Sequence, residues 1–122
     1  MRSAAEVRDR EPRSHPPLVA VCRLDDIDRE AGVLALVGGE AVAVFRTHDD
    51  RVHALSAWDP VGRACVLARG IVGTRDGVPY VASPLLKQGF DLATGQCLDD
   101  PEVSVPTYDA TVRDGLVLVA PR

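Results

Sequence analysis

The 122-residue chain has few aromatic side chains, one Trp, two Tyr and two Phe, and no apolar run near the roughly 20 residues a membrane-spanning helix requires. No membrane segment is expected. It also lacks a basic excess: the formal net charge is −4, and its arginines are not interleaved with aromatics, which argues against a nucleic-acid platform. Cysteine is sparse and odd in number. Cys22, Cys65 and Cys97 include no Cys-x-x-Cys pair, so neither a disulfide framework nor a zinc knuckle is signalled, and a reducing cytoplasm suits them. No secretory signal is read at the N-terminus, where Ala4 and Ala5 give way at once to Glu6, Arg8, Asp9 and Arg10. A cytoplasmic protein is the expectation.

What is present is enough apolar material, 46% of residues, for one core, in a chain too short for two ordinary domains. Residues 1–17 are dominated by charge with Pro12, Pro16 and Pro17 and carry no periodic apolar pattern, so they are expected to form a flexible N-terminal tail. The domain is expected over residues 18–122. Short β-branched runs occupy residues 18–23, 33–37, 41–46, 52–55, 70–73, 78–82, 108–113 and 116–120. Three hairpins are written between them, at Gly38-Gly39, Arg75-Asp76-Gly77 and Asp114-Gly115, because glycine accepts the positive φ of a tight turn. With no long helical period, the fold class is all-β, an antiparallel sandwich or barrel.

Two connections are unlike ordinary turns: Ser56-Ala57-Trp58-Asp59-Pro60-Val61-Gly62-Arg63-Ala64-Cys65, and Ser83-Pro84-Leu85-Leu86-Lys87-Gln88-Gly89-Phe90-Asp91-Leu92 followed by Thr94-Gly95. The second resembles the Cys-Pro-x-His-Gly-x-x-Phe loop of Rieske iron–sulfur domains, with Pro84 and Phe90 at matching offsets. The first resembles the Cys-Pro-His loop, with Pro60 in register. A Rieske cluster takes two thiolates on one iron and two imidazoles on the other. On this chain the resemblance puts the cysteine positions at Asp59 and Ser83 and the histidine positions at Val61 and Leu86. Valine and leucine have no donor atom, serine is a poor iron ligand at neutral pH, and one aspartate cannot hold a dinuclear cluster. A Rieske-like fold with no cofactor of its own is the expectation.

That combination is similar to the small subunits of NAD(P)H-dependent nitrite reductases, over roughly residues 18–122. The resemblance implies a cytoplasmic complex that reduces nitrite to ammonium in nitrate assimilation. It also implies a large partner subunit carrying FAD, an iron–sulfur cluster and sirohaem, and no catalytic or metal-binding residue in the present chain. The loops are then the expected partner surface, with Trp58, Pro60, Pro84 and Leu85 as apolar or rigid contacts and Lys87 and Gln88 as a polar rim.

Other readings compete. A Rieske-type ferredoxin-like electron carrier would need donors at Val61 and Leu86, whereas an interaction module of another oxidoreductase needs only the fold. His15, His48 and His53 lack short ligand spacing with the cysteines, so a metal site there is not expected. Cys65 is expected as a small buried apolar side chain. Trp58 is open between partner anchor and local core plug. The run Asp99-Asp100-Pro101-Glu102 reads as a solvated turn.

Overall fold

The structure is a computed structural model that describes residues 17–121. The expected tail falls almost wholly outside the described residues. Among these the regular elements are twelve strands and two single 3-10 turns, Leu24–Asp26 and Leu67–Arg69. In chain order the strands are β1 (Val19–Arg23), β2 (Ala31–Val37), β3 (Glu40–Arg46), β4 (Val52–Ser56), β5 (Trp58–Asp59) and β6 (Ala64–Cys65). There follow β7 (Ile71–Arg75), β8 (Val78–Ala82), β9 (Gly89–Asp91), β10 (Thr107–Tyr108), β11 (Ala110–Arg113) and β12 (Leu116–Val119).

The three hairpins form where local chemistry asks for them. Gly38-Gly39 has φ of 58° and 83°, Asp76-Gly77 52° and 80°, and Asp114-Gly115 55° and 78°. Two successive positive φ values define the turn whose twist matches that of the flanking strands. Each therefore fixes a two-residue register, pairing Val37 with Glu40, Arg75 with Val78 and Arg113 with Leu116.

The strands assemble into antiparallel sheets with orders β1-β12-β11, β10-β4-β3-β2 and β7-β8-β9, plus the small β5-β6 hairpin. β3 is the central layer. Its alternate residues Val42 and Val44 meet Val117, Val119 and Ile27 in one core, while Ala43 and Phe45 meet Val72, Val81 and Phe90 in the other. All four are fully buried, which explains why this strand reads as an unbroken apolar run and not as an alternation. The result is a Rieske-like sandwich of antiparallel sheets.

The expected strand over residues 108–113 is divided in the structure. Tyr108 stays with β4, whereas Ala110–Arg113 pairs with β12 in a different sheet. Between them the Asp109 carbonyl accepts the Ala120 amide at 2.9 Å, so the chain changes sheets there and closes one side of the sandwich. The strand expected from Gly70 begins at Ile71 and runs on to Arg75. A Cβ on Gly70 would lie 2.5 Å from the Ala82 carbonyl oxygen, so this residue is used for close approach.

β4 and β8 both rise from one end of the sandwich and both deliver their chain into the two unusual loops at the other. The starting end is held by Arg46, a nearly buried cation. Its guanidinium donates to the carbonyls of Ile27 at 2.8 Å and Leu24 at 3.3 Å, and to the Asp50 carboxylate at 2.9 Å. Arg29 reaches the same carboxylate at 2.9 Å. These two arginines, Arg29 first, hold Asp50 below the ordinary carboxylate value of 3.8. A folded-state value below the unfolded one stabilises the fold above the ordinary value, and that contribution is lost as pH falls through the depressed one. Melting temperature should therefore fall as pH is taken from 5 towards 2, and Asp50→Asn should melt lower at pH 7 with a flatter acid limb. Equal acid limbs for the two proteins would show that Asp50 does not carry this dependence.

Candidate functional site

The site is the end of the sandwich where the two loops meet. Asp59 and Ser83 are buried there, whereas Val61 and Leu86 are exposed by 40% and 60%. The four positions that resemble cluster ligands thus divide into an inner polar pair and an outer apolar pair.

The inner pair is in direct contact. Ser83 Oγ donates to Asp59 Oδ2 at 2.5 Å, across 24 residues of chain. Asp59 Oδ1 accepts the amides of Val61 at 2.9 Å and Gly62 at 3.0 Å, and the Gln88 side-chain amide at 3.1 Å. Four donors converge on one carboxylate, about as many as its lone pairs can serve. Such convergence offsets the large desolvation cost of a buried acid. It also decides the orientation of Gln88, because the opposite amide orientation would set its carbonyl against the carboxylate.

The loops repeat one turn. The Arg63 amide donates to the Asp59 carbonyl at 2.7 Å, and the Lys87 amide donates to the Ser83 carbonyl at 3.0 Å, so each loop closes over the same five-residue span. In each a proline follows the first residue, and the first side chain accepts the amide two residues on, Asp59 from Val61 at 2.9 Å and Ser83 from Leu85 at 3.2 Å. In each the closing residue has positive φ, 59° at Arg63 and 69° at Lys87. Gly62 is where the loops touch most closely. A Cβ there would stand 2.7 Å from both Asp59 Oδ2 and Leu85 Cδ1. Beyond the second loop, Asp99 accepts the Gly89 amide at 2.7 Å and pairs with Arg75 at 3.2 Å. The solvated turn expected at residues 99–102 therefore also anchors the base of the second loop. The Gly89 amide first, and Arg75 after it, hold Asp99 below the usual carboxylate range.

A [2Fe–2S] cluster does not fit these residues. The carboxylate is saturated by its hydrogen bonds, Ser83 is spent on it, and the outer positions offer only carbon. Among the described residues no group of three or more His, Cys, Asp or Glu side chains is placed to hold a metal ion. His48 and His53 instead line a cavity of about 140 Å³ with Thr47, Asp49 and Arg51, at the end opposite the loops. His15 lies outside the described residues.

Trp58 is 48% exposed and belongs to neither core, which removes the core-plug reading. Cys65, expected to be buried, is exposed. It sits opposite Trp58 in the β5-β6 pair, on the outer side of a two-residue strand, and the buried cysteine is Cys97. Pro84, Leu85 and Lys87 are exposed, and Pro60 and Gln88 partly so. The expected partner residues thus share one end of the domain. Sequence reasoning missed Arg63, whose place in the repeated turn is visible only once the two backbone bonds are known.

The chain matches the Rieske-like [2Fe-2S] domain family over residues 18–120. It is 50% identical over 98 residues to the nitrite reductase (NADH) small subunit of Salmonella typhimurium, covering 80% of this chain and 91% of that one. The chain belongs to the Rieske-like family of nitrite reductase small subunits. The solution structure of the nitrite reductase [NAD(P)H] small subunit of Erwinia carotovora superposes with a TM-score of 0.73 at 45% identity, covering 86% of this chain and 82% of that chain. The family's domain also occurs inside a longer protein. The nitrite reductase [NAD(P)H] large subunit of Klebsiella oxytoca is 40% identical over 103 residues, which is 84% of this chain and 11% of that one.

The geometry makes Asp59 the member of the site whose loss does most damage. Asp59→Ala leaves the Ser83 hydroxyl and the Gln88 amide without their acceptor, and should lower stability by about 2–4 kcal/mol. Chemical denaturation measures it. A loss below about 0.5 kcal/mol, the scale of an ordinary surface substitution, would contradict the role given to this carboxylate.

Proposed function

We propose that this chain is the non-catalytic small subunit of a cytoplasmic NAD(P)H-dependent nitrite reductase. In this reading it binds the large subunit through the two-loop end. The observation that carries the reading is the site itself: loops of Rieske form, closed by hydrogen bonds in place of a cluster, that present exposed apolar side chains. With no thiolate or imidazole at the four ligand positions such an end does not suit a Rieske cluster, and its exposed apolar side chains suit it to be covered. Membership of the small-subunit family supports the identity of the partner, and the K. oxytoca large subunit supports it again by containing a domain of this kind within its own chain. FAD, an iron–sulfur cluster and sirohaem then reside in the large subunit, which performs the reduction of nitrite to ammonium. The described residues include no helix long and apolar enough to cross a membrane, in keeping with a cytoplasmic complex.

The contribution of the small subunit is positional. Pro60 and Pro84 limit the freedom of the loops before docking, and the Asp59 network limits it further, so little conformational entropy is lost on association. Trp58, Val61, Leu85 and Leu86 offer the apolar centre, with Lys87 and Gln88 at its rim.

A tagged copy isolated from its own cell should bring down the large subunit, and the purified chain should be colourless and free of iron and sulfide. Trp58→Ala should weaken association by about 2 kcal/mol while leaving the melting temperature of the free domain nearly unchanged, because the ring is exposed there. Stoichiometric iron with a Rieske-type visible spectrum would overturn the reading in favour of an electron carrier. Recovery of a different oxidoreductase in place of the large subunit would overturn the choice of partner.

A further inference from the structure

Arg63 and Lys87 occupy matching places in the repeated turn, four residues after Asp59 and four after Ser83. Both adopt the left-handed backbone conformation, with φ of 59° and 69°. Glycine accepts this conformation without strain and is the common residue in it, whereas a side chain with a Cβ is disfavoured there. At both places the chain keeps a long cation instead. Both are exposed, and among the described residues neither has an ion-pair partner. Among the six described non-glycine residues with positive φ, Glu30, Asp50, Asp76 and Asp114 are acidic, whereas the two at matching places of the repeated turn are both cations, and that matched placement points to a use for the side chains.

The charge around them points the same way. The chain as a whole carries −4, and the charged residues of the two loops and the turn after the first are Asp59, Arg63, Arg69, Lys87 and Asp91. Asp59 is buried and committed to its four donors, Asp91 is half-buried and accepts the Ala93 amide at 2.8 Å, and Asp99 pairs with Arg75, so the exposed charges of the two turns themselves are Arg63 and Lys87. The same two turns carry the apolar residues at the outer ligand positions, Val61 and Leu86, each 40% exposed or more. We infer that Arg63 and Lys87 form a matched cation pair that reads carboxylates flanking an apolar socket on the large nitrite reductase subunit. This rests on the large subunit being the partner. The apolar residues supply contact area, and the cations supply orientation and a fast, salt-sensitive encounter, as opposed charges across an interface do. Because the Asp59–Ser83 bond joins the two turns at equivalent points, the loops hold the cations as one unit.

The test uses the full-length chain and the cofactor-loaded large subunit from the same cell, with binding measured in 50 mM and in 500 mM salt. Glycine variants separate backbone from side chain, since Arg63→Gly and Lys87→Gly relieve the strain while removing the charge. The free domains should melt at or above the parent temperature. Each variant should bind about tenfold more weakly at low salt, the double variant more weakly again, and the difference should shrink at high salt as screening removes the parent's advantage. Arg63→Glu with Lys87→Glu should weaken binding further than the glycine pair, because repulsion from the same carboxylates replaces attraction. If the parent binds the large subunit and all these variants bind equally well with the same salt dependence, the cation pair is overturned while the partner assignment stands. If the parent does not bind the large subunit at all, the partner assignment fails and the cation-pair inference falls with it.

Discussion

The loop end of this domain is organised by one buried carboxylate. Asp59 draws two amides of its own loop and two side chains of the other onto a single group. A buried acid is tolerable only if nearly all its acceptor capacity is used, so the group that would be costly alone becomes the reason the loops take one arrangement. In a cluster-bearing Rieske domain the metal performs this cross-linking from four ligands. Here hydrogen bonds perform it from two positions, Asp59 and Ser83, and the other two positions are released from coordination. Val61 and Leu86 are consequently free to be apolar and exposed.

This division explains how the fold can lose its redox centre without losing its shape. Two cores on either side of β3 hold the sheets irrespective of what the loops carry. The loops themselves start from rigid strand ends at Ser56 and Ala82, and Asp99 ties down the residue that follows the second one. What remains at the end is a surface that exposes Val61, Leu85 and Leu86 together with Arg63 and Lys87, two cations without an ion-pair partner among the described residues. A surface of that kind suits the proposed role, which is to dock and position.

The sequence was most legible where the determining chemistry is local. Gly38-Gly39, Asp76-Gly77 and Asp114-Gly115 set their hairpins because two adjacent residues decide the turn. β3 was legible from its apolar run, and the loops from the spacing of Pro84 and Phe90. The bond from Ser83 to Asp59 was not legible, because it joins residues far apart in the chain whose meeting depends on the whole sandwich. Nor was the repeated turn, since arginine and lysine give no local sign of a left-handed backbone. Cys65 and Trp58 illustrate a related limit: both lie on a two-residue strand too short for an apolar pattern to declare which side faces the core. The sheet change at Asp109 was hidden for the opposite reason, as a continuous β-branched run concealed a break made by tertiary contacts.

The central claim is that Asp59 holds the loops in place of a cluster, and amide hydrogen exchange tests it most directly. In the isolated full-length chain, the amides of Val61, Gly62 and Leu85 should exchange far more slowly than those of an open loop, approaching the sheet amides of β4 and β8. In Asp59→Ala, which removes the acceptor, the Val61 and Gly62 amides should lose that protection while β3 and β12 keep theirs. If these loop amides exchange in the parent as fast as exposed backbone while the sheets stay protected, the carboxylate does not organise the loops and the account is wrong.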